Sequence, residues 1–198
     1  MKLLALETST RQGSIALWDD GVVAERAYAA GFRQAKSLVG EIDLLCRSAG
    51  WTPTDLQRVA VSIGPGSFTG VRVGLGVAKM LALSLGVEVV AVPSLLAAAQ
   101  RSSAERIAVA LDARKGRVIL GQFERRSGEV IATSEPTIVP DATLDELPAG
   151  TEILREDTPP LASDVACLGV KMTPVDAVRL VPAYVRRPEP EEKRLGLV

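Results

Sequence analysis

Apolar residues follow two rhythms along this chain. Leu3–Leu6 is an unbroken apolar run closed by Glu7, the pattern of a buried strand. Ser14–Trp18, the turn Asp19-Asp20-Gly21 and Val22–Ala27 follow, so the first 27 residues predict a three-stranded antiparallel meander. From Arg33 the period lengthens. Leu38, Ile42, Leu45 and Ala49 fall on one side of a helix over 33–49, and Gly50 supplies its stop. Val59–Ile63 reads as a strand, 64–70 as a glycine-rich loop, and 71–85 as a helix stopped by Gly86. Val87–Val92 is another buried strand, and Pro93-Ser94 opens a short helix to about Gln100.

The pattern then restarts. Ile107–Leu111 ends in Asp112 as Leu3–Leu6 ends in Glu7, and strands over 117–123 and 129–134 follow around turns. "LLALETSTRQGSIALWDDGVV" and "AVALDARKGRVILGQFERRSGEV" share their order of elements. A duplication would give two related lobes facing across a cleft, with Glu7 and Asp112 near its floor. A chance likeness of two meanders is the alternative. The expected organisation is a first lobe over 1–100, a smaller second lobe over 101–180, and a C-terminal segment over 181–198 that ends in a charged tail. Within the second lobe, 136–148 reads as turn-rich, 151–155 as a strand and 161–170 as a helix.

Composition removes several chemistries. The chain has 198 residues, formal net charge −1 and no histidine. Ser-His-Asp and Cys-His nucleophile systems and His-containing zinc sites are therefore excluded within it. Cys46 and Cys167 are the two cysteines, expected as buried free thiols of a reducing cytoplasm. Balanced charge and 4 % aromatic residues argue against an autonomous RNA-binding module. The apolar region 71–92 contains Arg72, Lys79 and Glu88 and is a poor membrane span.

Two stretches carry candidate chemistry. "GPGSFTG" lacks the Walker A lysine and the third glycine of the dinucleotide pattern. What is left is a strand-to-helix turn in which Gly64, Gly66 and Ser67 either receive an anion on free amides or make a tight, capped turn. "ETST" after the first strand places Thr8, Ser9 and Thr10 where a two-lobed ATPase would face phosphate, with Glu7 as the acid; a plain polar turn is the alternative. In the helix that follows, Gly70, Gly74, Ala78 and Ala82 recur every four residues and form a narrow face. An interior glycine costs roughly 1 kcal/mol against alanine, so Gly74 and Gly76 need a compensating close approach. The approaching backbone is either the helix over 33–49 or another chain.

Together these words resemble one family. "LLALETST", "SIALWDDG", "GPGSFTGVRVGLGVAKMLAL", "LDARKGRVI" and "PAYVRR" are similar to the TsaB proteins of bacterial tRNA threonylcarbamoyladenosine biosynthesis, distant relatives of the glycoprotease-like TsaD proteins. The resemblance implies an α/β, actin-like ATPase fold (ribonuclease-H-like lobes, duplicated). It implies a non-catalytic, cytoplasmic scaffold with no metal site, pairing with TsaD through its first two helices, here Leu38, Ile42, Leu45, Gly70, Arg72, Gly74 and Ala78. TsaD would carry the metal and transfer the threonylcarbamoyl group to the adenosine beside the anticodon, and the ATPase TsaE would join. A homodimer is expected in isolation, with tRNA engaged only through the complex. No cofactor of its own is expected; ATP or ADP would sit at the complex interface, with Thr8, Ser9, Thr10, Gly64, Gly66 and Ser67 as weak contacts. Three features depart from the family: Glu7 stands for the usual Asp, Arg33-Gln34 for His-Ser or His-Thr, and the second lobe is short. The competing function is a small kinase or ATPase of the same fold. Against it, "LDARKG" lacks the glycines of a second phosphate motif.

Overall fold

A computed structural model describes residues 1–29 and 34–185. The first sheet is built from β1 (Leu3–Glu7), β2 (Gln12–Trp18), β3 (Val22–Ala29), β4 (Arg58–Ser62) and β5 (Glu88–Val92) in the order β3-β2-β1-β4-β5. The first three strands are antiparallel, and β4 and β5 run parallel to β1. α1 (Gln34–Ser48) and α2 (Phe68–Leu85) supply the crossovers and cover one face, where Leu4, Leu6, Ile15, Leu17, Val59 and Val61 meet them. Strand alternation sends Leu3, Ala5, Ala16 and Ala60 to the other face. Ser67 caps α2 through its Oγ on the Gly70 amide, and Gly86 ends it in the left-handed conformation. α2 therefore starts at Phe68, earlier than its apolar period suggests, because the cap precedes the apolar residues. By length and a mean hydropathy of 1.4 this helix is apolar enough to cross a membrane. Here its Val71, Leu75 and Ala78 are core.

The second sheet repeats the scheme. β6 (Arg106–Asp112) pairs antiparallel with β7 (Arg117–Arg126) and parallel with β10 (Thr151–Leu154), as β1 does with β2 and β4. β8 (Glu129–Ala132) and β9 (Thr137–Pro140) share the far edge of β7. β9 falls in the stretch expected to be turns only. α3 (Ser94–Ala99) is apolar on every side and buried on both: Ala97 packs against the first sheet, Leu95, Ala98 and Ala99 against the second.

The domain boundary differs from the expectation. α4 (Ala162–Gly169) follows the second sheet in sequence but packs on the first, with Val165 and Ala166 against Leu3, Ala5 and Ala60. Gly169 makes this approach, since a Cβ there would strike the Ala60 Cβ. Arg58 fixes the helix end, donating to the Gly169 carbonyl at 3.0 Å while pairing with Glu88. Residues 171–185 stay on the first lobe: Val175 bridges to Val89, Leu180 is core, and the Ala183 amide donates to the Ile63 carbonyl at 2.8 Å. The second lobe is therefore 101–160, and 162–185 belongs to the first. Apolar periodicity within a segment does not record which sheet it covers. Arg33 and the tail 186–198 lie outside the described residues.

Candidate partner surface and a closed phosphate turn

The turn after β1 and the start of α2 are packed into each other. The Ser67 amide donates to the Ser9 carbonyl at 2.6 Å. A Cβ on Gly66 would land on the Ser9 carbonyl oxygen, and one on Gly70 on that of Thr8. Both glycines are there so that two backbones can touch. Thr8 and Ser9 are buried, Gly64 is buried, and Thr10 is half-exposed with its hydroxyl donating to the Gln12 carbonyl. Gly66 and Ser67 are exposed, but Ser67 is spent on capping. Thr8 and Ser9, expected as weak nucleotide contacts, have their side chains buried beneath this turn, away from solvent.

Glu7 is fully buried behind the same turn. One carboxylate oxygen accepts from the Ser9 amide and hydroxyl, while Oε2 has no partner. Desolvation pushes its pKa up to about 7, outweighing the Ser9 hydrogen bonds and the nearby Ser62 hydroxyl, which favour the anion. A carboxyl sealed from solvent, with its pKa raised by burial, is a poor ligand for the magnesium this fold uses in ATPases. Asp112, its counterpart, is exposed and accepts from the Arg114 amide at 2.7 Å. The two acids do not share a cleft floor, and no cluster of three metal-ligating side chains occurs among the described residues. The residues do not fit a magnesium–nucleotide site.

The small face of α2 also turns inward. A Cβ on Gly74 would strike the Thr8 side chain, and Ala78 and Ala82 are buried in the first core. Leu38, Ile42 and Leu45 of α1 are at most 6 % exposed. Of the seven residues expected at an interface, only Arg72 presents its side chain outward; the other six are occupied within this chain. The Gly74 compensation is thus the β1–β2 turn, neither α1 nor another protein. Cys46 is buried as expected, and Cys167 is half-buried.

Gly76 behaves oppositely. It is exposed and a Cβ there would meet nothing, as would one on Gly40 of α1. Each pays the helix-propensity cost with no contact inside this chain to offset it. Around them lie exposed Val39, Leu44, Met80 and Leu83, and α1 packs against α2. Beside α2, the segment 171–185 adds exposed Val178, Val181 and Tyr184. These residues escape a reading by core periodicity because they sit one step off the buried stripe. Their signal in the sequence is an excess of apolar positions, more than one face of α2 can bury.

Comparison with known proteins decides the family. The family model described as TsaD, tRNA N6-adenosine threonylcarbamoyltransferase, matches residues 9–178. The tRNA threonylcarbamoyladenosine biosynthesis protein TsaB of Bacillus subtilis is 31 % identical over 98 % of this chain and 97 % of its own length. This chain belongs to the TsaB family. TsaB of Escherichia coli is 34 % identical over 63 % of this chain, a match spanning only 56 % of that relative. The solved structure of YeaZ from Pseudomonas aeruginosa superposes with a TM-score of 0.81 at 28 % identity, covering 92 % of this chain and 99 % of that one. The α/β actin-like fold is thereby established from both sequence and structure.

Proposed function

We propose that this TsaB-family chain is a non-catalytic subunit in tRNA threonylcarbamoyladenosine biosynthesis. It pairs with TsaD through the outer faces of α1 and α2 and supports threonylcarbamoyl transfer to the adenosine beside the anticodon. TsaE joins that assembly, and tRNA is engaged only through it. ATP or ADP binds at the assembly's interface and not in this chain's own turn.

The observation that carries the proposal is the two solvent-open glycines, Gly40 on α1 and Gly76 on α2, on helices that also expose Val39, Leu44, Met80 and Leu83. Exposed apolar groups around positions without side chains suit a partner helix that must come close. The sealed Glu7 and the packed β1–β2 turn support a role without phosphate chemistry. The test is titration of purified TsaD from the same cell with wild-type protein and with Leu83→Glu. Leu83 is 67 % exposed, so the variant should fold and melt as wild type. Its affinity for TsaD should fall by more than about tenfold. Wild-type affinity in Leu83→Glu and in Leu44→Glu would remove this interface.

A further inference from the structure

Between α2 and the returning segment lies an open groove of about 290 Å³. Leu75 and Leu180, both nearly fully buried, and Gly76 form its floor, while Arg72, Lys79 and Tyr184 stand around it. Arg72 leans on its aromatic neighbours. Its guanidinium lies 3.8 Å from the Phe68 ring centroid, Phe68 stacks on Tyr184, and its Nε donates to the Tyr184 hydroxyl at 2.7 Å. The Lys79 ammonium donates to the Val178 carbonyl at 3.2 Å. Among the described residues both cations bond neutral acceptors only, and α2 contains no acidic residue.

A guanidinium braced on two rings, whose terminal nitrogens have no partner among the described residues, matches a carboxylate, which it can receive through two parallel bonds. The Tyr184 hydroxyl, accepting from Arg72, still has its own proton to donate to the same group. Lys79 follows seven residues later, about 10.5 Å along the same side of the helix. Resting on the proposal that α2 faces the partner subunit, we infer that this groove is a two-point carboxylate seat. A helix of TsaD brings acidic side chains about two turns apart onto Arg72–Tyr184 and onto Lys79, with a small or apolar residue over Gly76.

Other occupants fit less well. A second copy of this chain offers no acid on α2, and the α1 acids Glu41 and Asp43 are already paired with Arg26 and Arg47. A nucleic-acid backbone would leave Met80, Leu83, Val178 and Val181 uncovered. Small-molecule sites are more enclosed and of about 300–1,000 Å³.

The experiment measures affinity for purified TsaD at low and high salt. Variants are Lys79→Glu, Arg72→Gln, Tyr184→Phe, Leu83→Glu and Leu44→Glu, each checked for an unchanged melt. Lys79→Glu should weaken binding about tenfold at low salt and flatten its salt dependence. Arg72→Gln should do the same, Tyr184→Phe should act in the same direction more weakly, and an acid-to-lysine change on the facing TsaD helix should rescue Lys79→Glu. If Leu83→Glu abolishes association while Lys79→Glu and Arg72→Gln keep wild-type affinity and salt slope, the seat is wrong and the interface stands. If Leu83→Glu and Leu44→Glu bind normally along with the charge variants, the interface itself fails and the seat with it. Charge variants that alter only self-association would assign the groove to a second copy and overturn the proposal.

Discussion

The two lobes share a strand plan but not a degree of enclosure. β1 and β6 each pair with an antiparallel neighbour on one side and a parallel one on the other. In the first lobe α1 links the meander to β4, α2 leads on to β5, and α4 closes the opposite face. In the second lobe the place of α1 is taken by β9 and a 3-10 turn over Asp141–Glu146, whose Leu144 covers Ala108, Ala110, Val118 and Leu120. After β10 the chain leaves for the first lobe. The turn and acid that end each first strand follow suit: Glu7 is sealed under α2 and Asp112 lies in the open. Duplicated strands, then, do not yield duplicated sites. What a strand-end acid can do depends on the helix that lies over it, and only one lobe has that helix.

The strongest way to break this comparison is to fill the contact that closes the first turn. Gly70→Ala would place a methyl on the Thr8 carbonyl oxygen, and a backbone atom cannot swing aside. Overpacking of a tight core costs about 1–3 kcal/mol, and this site should reach or pass about 3. A change in the turn that follows the second lobe's first strand, Gly116→Ala, meets nothing but sits at φ 68°. It should cost about 1 kcal/mol through the left-handed backbone alone. Urea midpoints of the two variants test this. Equal losses would mean that the first turn is no more closed than the second.

The sequence displays the strand plan well and the enclosure poorly, for a physical reason. Strands and helices are local: Leu3–Leu6 and the 38/42/45 stripe appear as regular periods, and caps such as Gly86 are read directly. Enclosure is set by contacts distant in sequence. Gly74 and Gly76 look alike on a helix, yet one meets Thr8 and the other solvent. The difference is a rotation of α2 over the sheet, which nothing within the helix specifies. α4 likewise carries an apolar face with no mark of which sheet receives it. The outward stripe of Met80 and Leu83 was legible only as surplus hydrophobicity, and Tyr184 only as part of "PAYV".

A second test sharpens the comparison through pH. Folded Glu7 keeps its proton up to about pH 7, while the unfolded carboxyl releases it near its ordinary 4.5. The folded pKa is raised, so the stability tied to the protonated form is complete below about pH 4.5 and is lost as pH rises through about 7. That gap corresponds to about 3 kcal/mol. Glu7→Gln keeps an acceptor for Ser9 and has no proton to lose. Its stability relative to wild type should rise between pH 5 and pH 8 by up to about 3 kcal/mol. Asp164, whose pKa is raised mainly by burial beside the N-terminus of α4, is present in both proteins, so the subtracted profile reports Glu7 together with its repulsion from Asp164. A difference that stays flat with pH would show Glu7 hydrated, and the first turn open after all.

The smallest effect belongs to the acid of the second lobe. Asp112 is exposed, and its one hydrogen bond within the described residues is from the Arg114 amide, at the head of a turn where Arg114, Lys115 and Gly116 all have positive φ. An exposed side-chain bond of this kind contributes about 0.5–1 kcal/mol, because water competes for both partners. Asp112→Ala should therefore lower stability by about 0.5 kcal/mol. The measurement is the urea midpoint of the variant beside wild type at neutral pH. A loss as large as that at Gly70 would reveal a buried Asp112. The lobes would then share a closed acid at each strand end, and the contrast drawn from α2 would fail.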